Sequence, residues 1–142
     1  MGTKKAKLLV EYDFDFVLLG ISSSLKSYKL AWLLNQAFQW HLVKKEDFMV
    51  GFKSKGEKPF SAHAYQTQHT LIKLLKNKSA GQDASSYFLV ADHPHIDYFL
   101  LIKGPEQSIA ENILSTIRQI TSVEFAAFIP LDSLKTKENF IF

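Results

Sequence analysis

The sequence predicts an α+β domain: a mostly antiparallel sheet of about five to seven strands with two helices packed on it, in the order β-α-β-β-β-β-β-α-β. Three observations carry this prediction. Apolar residues recur at period two in several short runs, two longer stretches carry them at helical spacing instead, and the middle runs are joined by connections too short for parallel crossovers. The 142 residues suit one domain, residues 1–142, that buries its own core without staples.

The chain begins with Leu8, Val10, Tyr12, Phe14 and Phe16 alternating with Glu11, Asp13 and Asp15, which is a strand with one wet face. Residues 17–21 either continue that strand or open the helix. Ser22, Ser23 and Ser24 are N-cap candidates for a helix reaching about Trp40, with Leu30, Leu33, Leu34, Ala37 and Phe38 as its core stripe. Leu25, Tyr28 and Trp32 make a second stripe, which a helix buries deep in the domain or offers to another molecule. Phe48, Val50 and Phe52 start a meander, followed by a hairpin loop at 53–59, a strand over 60–65, a tight turn at 66–69 and a strand over 71–75. A polar loop at 76–86 precedes strands over 87–90 and 98–102. Gly104-Pro105-Glu106 starts the second helix, because proline is preorganised for the first helical position and glutamate complements the helix dipole there. Ile109, Ile113, Ile117 and Ile120 face inward. A last strand covers 123–129, and the tail ends in Phe140-Ile141-Phe142, an apolar terminus expected to dock on the sheet or on a second subunit.

Composition narrows the function classes. The absence of cysteine removes disulfides, thiolate metal sites and cysteine nucleophiles together, which fits a reducing compartment. Leu8-Leu9-Val10 is too short for a signal peptide or a membrane span, so the expectation is a cytoplasmic protein without membrane association. A net charge of +3 invites a polyanionic partner, yet Arg118 is the lone arginine and the lysines are dispersed. Nucleic acid is disfavoured, since arginine supplies the bidentate contacts to phosphate and guanine. Twelve phenylalanines and 13% aromatic residues exceed what a small core easily hides, which points to an interface.

The segment Val90-Ala91-Asp92-His93-Pro94-His95-Ile96-Asp97-Tyr98 resembles the motif that names the IPExxxVDY family of uncharacterised bacterial proteins. Asp97 and Tyr98 match outright, Val90 and Ile96 are conservative replacements, Asp92 stands for the glutamate and Ala91 for the proline. Gly20-Ile21-Ser22-Ser23, then Tyr28, Leu30, Trp32 and Leu34-Asn35, are similar to the family's N-terminal block, with Ser27 and Lys29 in place of an aspartate and an arginine. Residues 137–142 are similar to its ending. The resemblance spans nearly the whole chain and implies no activity, cofactor or substrate, and its motif positions Asp92, Asp97 and Tyr98 carry no catalytic role from it.

Among candidate sites, His93 and His95 lie two apart, so in an extended segment they point the same way and offer two ligands to a divalent metal. A third would come from His41, His63 or His69, candidates by residue type alone. Asp92 and Asp97 are readable as an acid and base pair, or more simply as a turn former and a strand anchor. Tyr98 reads as a core residue with its hydroxyl at the rim. The serines at 22–24 read as helix caps sooner than as an anion cradle, because no glycine-rich loop accompanies them, and there is no Gly-x-Ser-x-Gly elbow.

No catalytic motif is present and no cofactor is expected. The preferred reading is a non-enzymatic interaction or adaptor protein, partnered by itself or by another cytoplasmic protein, with Tyr28, Trp32, Phe140 and Phe142 as interface candidates. The alternatives are a small enzyme or a ligand- or metal-binding domain centred on Asp92, His93, His95 and Asp97, and a nucleic-acid binder that stacks bases on an aromatic sheet face.

Overall fold

The computed structural model describes residues 15–52, 55–80 and 87–133. The expected strand over 8–14 and the Phe140-Ile141-Phe142 terminus lie outside them. Strands β1 (Val17–Ser23), β2 (Val43–Phe52), β3 (Gly56–Gln66), β4 (Leu71–Lys76), β5 (Tyr98–Lys103) and β6 (Val123–Phe128) form one sheet. Its order is β2-β3-β4-β5-β1-β6, and every neighbouring pair is antiparallel. Helix α1 (Ser27–Phe38) follows β1, and α2 (Ala110–Arg118) follows a short 3₁₀ turn at Pro105–Ile109. The α+β class with an antiparallel sheet and two helices is therefore the fold. No helix among the described residues is long and apolar enough to cross a membrane.

Alternation along the strands sorts the core into two layers. On one face Leu19, Ile21, Ile72, Leu74, Leu100 and Ile102 meet Leu30, Ala31 and Leu34 of α1 and Ile113, Leu114 and Ile117 of α2. On the other, Leu18, Phe60, Leu75, Phe99 and Leu101 are covered by Leu89, Val90, Ile96 and Ile129. The second layer is roofed by irregular chain, so its sealing depends on how that chain is tied down.

Several boundaries differ from the sequence reading for local reasons. Residues 17–21 are strand, and Ser22 and Ser23 extend it instead of capping α1, whose N-cap is Lys26 with no side-chain cap bond. Within α1, Ala31 is buried where Ala37 was expected, because the helix turns its core stripe toward the sheet through Leu30 and Leu34. The hairpin between β2 and β3 is tighter than a 53–59 loop, with Gly56 at positive φ and Pro59 paired with Met49 inside the ladder. Residues 87–90 form only a single bridge, Lys78 with Phe88. Pro105 starts the second helical segment as expected, though its first turn is 3₁₀.

The two outer strands of the sheet among the described residues are blunted differently. Strand β2 bulges between Lys45 and Phe48 and carries Lys44, Lys45, Glu46 and Asp47 there, features that discourage pairing with another chain. On β6, the Ile129 N–H donates to the Leu18 carbonyl, so by alternation the Ala126 carbonyl faces outward. The Arg118 Nε–H, from the last turn of α2, donates to that carbonyl at 2.9 Å. The single arginine thus serves the fold.

Gly104 sits at φ 115°, and a Cβ there would collide with the His69 carbonyl oxygen. Gly104→Ala is expected to cost at least about 2 kcal/mol of stability, the scale of a residue forced into glycine-only backbone, as measured by chemical denaturation. His63 of β3 is 6% exposed, and its Nδ1 is buried without a hydrogen-bond partner. Burial first, and the charge of Lys44 second, hold its imidazole below the ordinary value of 6.5. In the window between that lowered value and about 6.5 the unfolded chain binds a proton that the folded chain refuses. The contribution of His63 is therefore full above about 6.5 and is lost as pH falls through the folded value. Denaturation midpoints at pH 7.5 and 5.5 should show a smaller acid loss for His63→Leu than for the unsubstituted protein.

Candidate functional site

The segment that carries the sequence motif is built around Asn77, the residue after β4. Asn77 is 1% exposed and all its polar groups are used. Its Nδ2 donates to the His93 carbonyl at 3.0 Å and to the Ile96 carbonyl at 2.8 Å. Its Oδ1 accepts from the Val90 N–H at 2.8 Å. Its backbone N–H donates to the Asp97 carbonyl and its carbonyl accepts from Leu89 N–H. Residues 89–97 consequently wrap around one side chain and cannot lie flat as a strand. Sequence reasoning missed Asn77 because an asparagine between two lysines reads as loop, and no local signal separates a buried organiser from a surface turn.

Wrapping also changes the histidine geometry. Backbone turns close from Val90 to His93 and from His93 to Ile96, with Pro94 between the histidines, so the segment is not extended as expected. The His93 and His95 rings nonetheless lie 6.0 Å apart, edge to face at 73°, and His95 lies 6.5 Å from the Phe125 ring. Among the described residues no group of three potential ligands gathers to hold a metal ion. His63 instead lies on β3, whose neighbour at that position is Leu74, and His41 borders a groove at the sheet corner.

The segment from His95 to Tyr98 meets the N-terminal block, and Asp92 does not take part. Asp92 is exposed in the first turn. The Ser22 hydroxyl donates to the His95 carbonyl at 2.9 Å, and the Ser23 N–H donates to Asp97 Oδ2 at 2.8 Å. The Asp97 N–H donates to the Ile21 carbonyl, and the Tyr98 hydroxyl to the Leu25 carbonyl at 2.5 Å. A Cβ on Gly20 would stand 2.5 Å from Ile96 Cδ1 and 2.9 Å from Ile129 Cδ1, so the missing side chain is what lets Ile96 seat over β1. Burial pushes the Tyr98 phenol above its usual value, a side-chain bond with Ser27 opposes this, and the charge of Asp97 adds to the rise. Tyr98 therefore stays a protonated donor at neutral pH, suited to anchoring Leu25. Asp97 and Tyr98 act here as two clamps on the link from β1 to α1.

That link orients α1. At its far end Asn35 accepts from the Leu42 N–H at 2.8 Å and donates to the Leu42 carbonyl at 3.1 Å, which fixes the chain leaving the helix. Between these clamps the helix turns Tyr28 and Trp32 outward, 68% and 52% exposed. They sit one turn apart on one stripe, and the Lys29 ammonium lies 4.7 Å from the Trp32 ring centroid, within cation–π range. Phe140 and Phe142, the other interface candidates, lie outside the described residues.

Comparison with known proteins adds no assignment: no family model matches the chain, and no curated protein or solved structure matches it.

If the Asn77 knot governs the segment, Asn77→Ala should cost about 3 kcal/mol or more, since it strands one buried donor and two acceptors. Asp97→Asn keeps an acceptor for the Ser23 N–H and should cost less than Asp97→Ala, which removes it. Urea denaturation of the three variants gives the ranking. An Asp97→Asn variant as damaged as Asp97→Ala would show that the charge matters more than the bond.

Proposed function

We propose that this protein is a non-enzymatic interaction module of the cytoplasm that docks a partner protein on the outer face of α1. The observation that carries the reading is the pair Tyr28 and Trp32, large aromatic side chains held in water by a helix clamped at both ends. Aromatic residues of this kind dominate interface hot spots. Together they leave roughly 250 Å² of side chain to cover, worth about 6 kcal/mol gross at the usual area coefficient. Association itself costs about 4–15 kcal/mol, so the pair anchors a larger contact and does not make one alone.

Charge favours a different protein over a second copy. Lys26 and Lys29 border the aromatic pair, and a two-fold symmetric contact through this face would set the same lysines against each other. A partner with an acidic rim around an apolar pocket is complementary. The resemblance to the IPExxxVDY family is consistent with this proposal, because that family brings no catalytic residues and the motif positions Asp97 and Tyr98 serve here as clamps. The small-enzyme and metal readings lose support where Asp97 is engaged by backbone and no third ligand among the described residues stands near His93 and His95. The aromatic residues in question lie on a helix and not on an open sheet face, which weighs against base stacking.

Affinity capture of tagged protein from its native cells, after nuclease treatment, should recover a stoichiometric partner. Trp32→Ala should lose it while keeping the same melting temperature, and capture should weaken as salt is raised. A dimer by light scattering that survives Trp32→Ala, or a partner retained by Trp32→Ala together with Tyr28→Ala, would overturn the reading.

A further inference from the structure

The second helical segment does not turn every isoleucine inward. At four-residue spacing Ile109 belongs with Ile113 and Ile117 on one stripe, which is where the sequence places it. Ile113 and Ile117 are buried, yet Ile109 is 48% exposed. The cause is local. The chain enters α2 through the 3₁₀ turn at Pro105–Ile109, and Ile109 itself has φ −114° and ψ 21°. A 3₁₀ turn advances each residue by a different angle from an α-helix, so the isoleucine before the junction stands off the stripe that follows.

Phe128, the last residue of β6, is 40% exposed. It pairs with Leu19, whose side chain lies in the helix-side layer, so Phe128 points to that side of the sheet. Ile109, Phe128 and Val17 border one groove of about 530 Å³, where the start of α2 faces the first residue of β1 and the last of β6. Single exposed apolar residues are ordinary on a surface, but two large ones bordering one concavity are not scattered. The size is that of a small-ligand site.

The polar part of the border is rich in acceptors. Gln107, Ser108, Glu111 and Asn112 stand there, and Glu111 supplies the formal charge among the described border residues. The Ser108 hydroxyl donates to the Pro105 carbonyl at 2.9 Å, and Gln107 Nε2 donates to the Asp15 carbonyl at 2.8 Å. What these two side chains retain is chiefly oxygen that accepts. A carboxylate with amide and hydroxyl oxygens around it suits an ammonium, which offers N–H donors and no acceptor. Phe128 adds an aromatic ring, whose electron-rich face attracts cations.

We propose that this groove binds a small organic cation, a primary ammonium on a short aliphatic body, with Glu111 receiving the charge and Val17, Ile109 and Phe128 contacting the body. The groove shares no residue with the Tyr28 and Trp32 stripe, so the assignment stands apart from the partner reading.

The test is titration of the full-length 15N-labelled protein with hexylammonium chloride, using 1-hexanol, hexanoate and ammonium chloride as comparators at matched ionic strength. Hexylammonium should shift the Val17, Ile109 and Phe128 amides saturably. Hexanol and hexanoate lack the positive charge and ammonium lacks the body. Each should bind at least about tenfold more weakly, the loss expected when one charge-assisted contact or a few buried methylenes go. Glu111→Gln, at an exposed position, should weaken hexylammonium by a similar factor and leave hexanol unchanged, which separates loss of charge from loss of fold. Ile109→Ala, also exposed, removes part of the apolar wall and should weaken both hexylammonium and hexanol. No saturable shift at these amides, equal binding of any comparator, or unchanged hexylammonium affinity in Glu111→Gln or in Ile109→Ala would each overturn the proposal.

Discussion

Five hydrogen bonds on one buried asparagine hold the rest of this structure in place. Asn77 leaves the end of β4 and takes the carbonyls of His93 and Ile96, the amides of Leu89 and Val90, and the carbonyl of Asp97. A buried polar group is expensive unless fully paired, and a fully paired one permits few arrangements of the chain around it. Residues 89–97 follow that arrangement. Leu89, Val90 and Ile96 are thereby pressed onto the second core layer, which neither α1 nor α2 covers. The same turn delivers Asp97 and Tyr98 to the link between β1 and α1, where they grip Ser23 and Leu25. The exposure of Tyr28 and Trp32 is thus the far end of a chain of contacts that starts at Asn77.

This arrangement explains in physical terms why the two blocks that carry the sequence resemblance belong together. Gly20 makes room for Ile96, Ser22 bonds the His95 carbonyl and Ser23 meets Asp97. Tyr98 reaches Leu25. Residues more than seventy positions apart form one junction, each supplying the group the other lacks. The histidines stand at this junction's outer turn and contribute backbone carbonyls to it more visibly than side chains. An aspartate and tyrosine that look catalytic in a list of residues therefore have a sufficient structural occupation.

Electrostatics distributes the remaining polar chemistry unevenly. On one outer strand the bulge and the charged run Lys44 to Asp47 of β2 guard the sheet, and on the other the Arg118 guanidinium occupies an outward carbonyl of β6. Two interior positions run against the apolar pattern: His63 beneath the helices and Lys73 on the opposite face. Both are held toward their neutral forms by burial, yet their settings differ. His63 is buried without a partner for its Nδ1 and costs stability in acid, whereas Lys73 is only half-buried and borders the groove at the sheet corner.

Period-two and helical spacing were enough to determine the α+β class, the two helices and the place of most strands, because alternation and helical stripes are local properties of apolar residues. They also marked Tyr28 and Trp32 as a stripe that either buries or offers itself. Which of these happens was decided only by tertiary structure, since it depends on the helix being rotated by clamps at Ser23, Leu25 and Leu42. The same holds for the segment at 87–97, legible as a strand and an extended pair of histidines until the distant Asn77 bends it. Lys73 was legible only as one residue of the strand over 71–75. Its character comes from Ala64 and Leu101 on strands that only the sheet order brings alongside it.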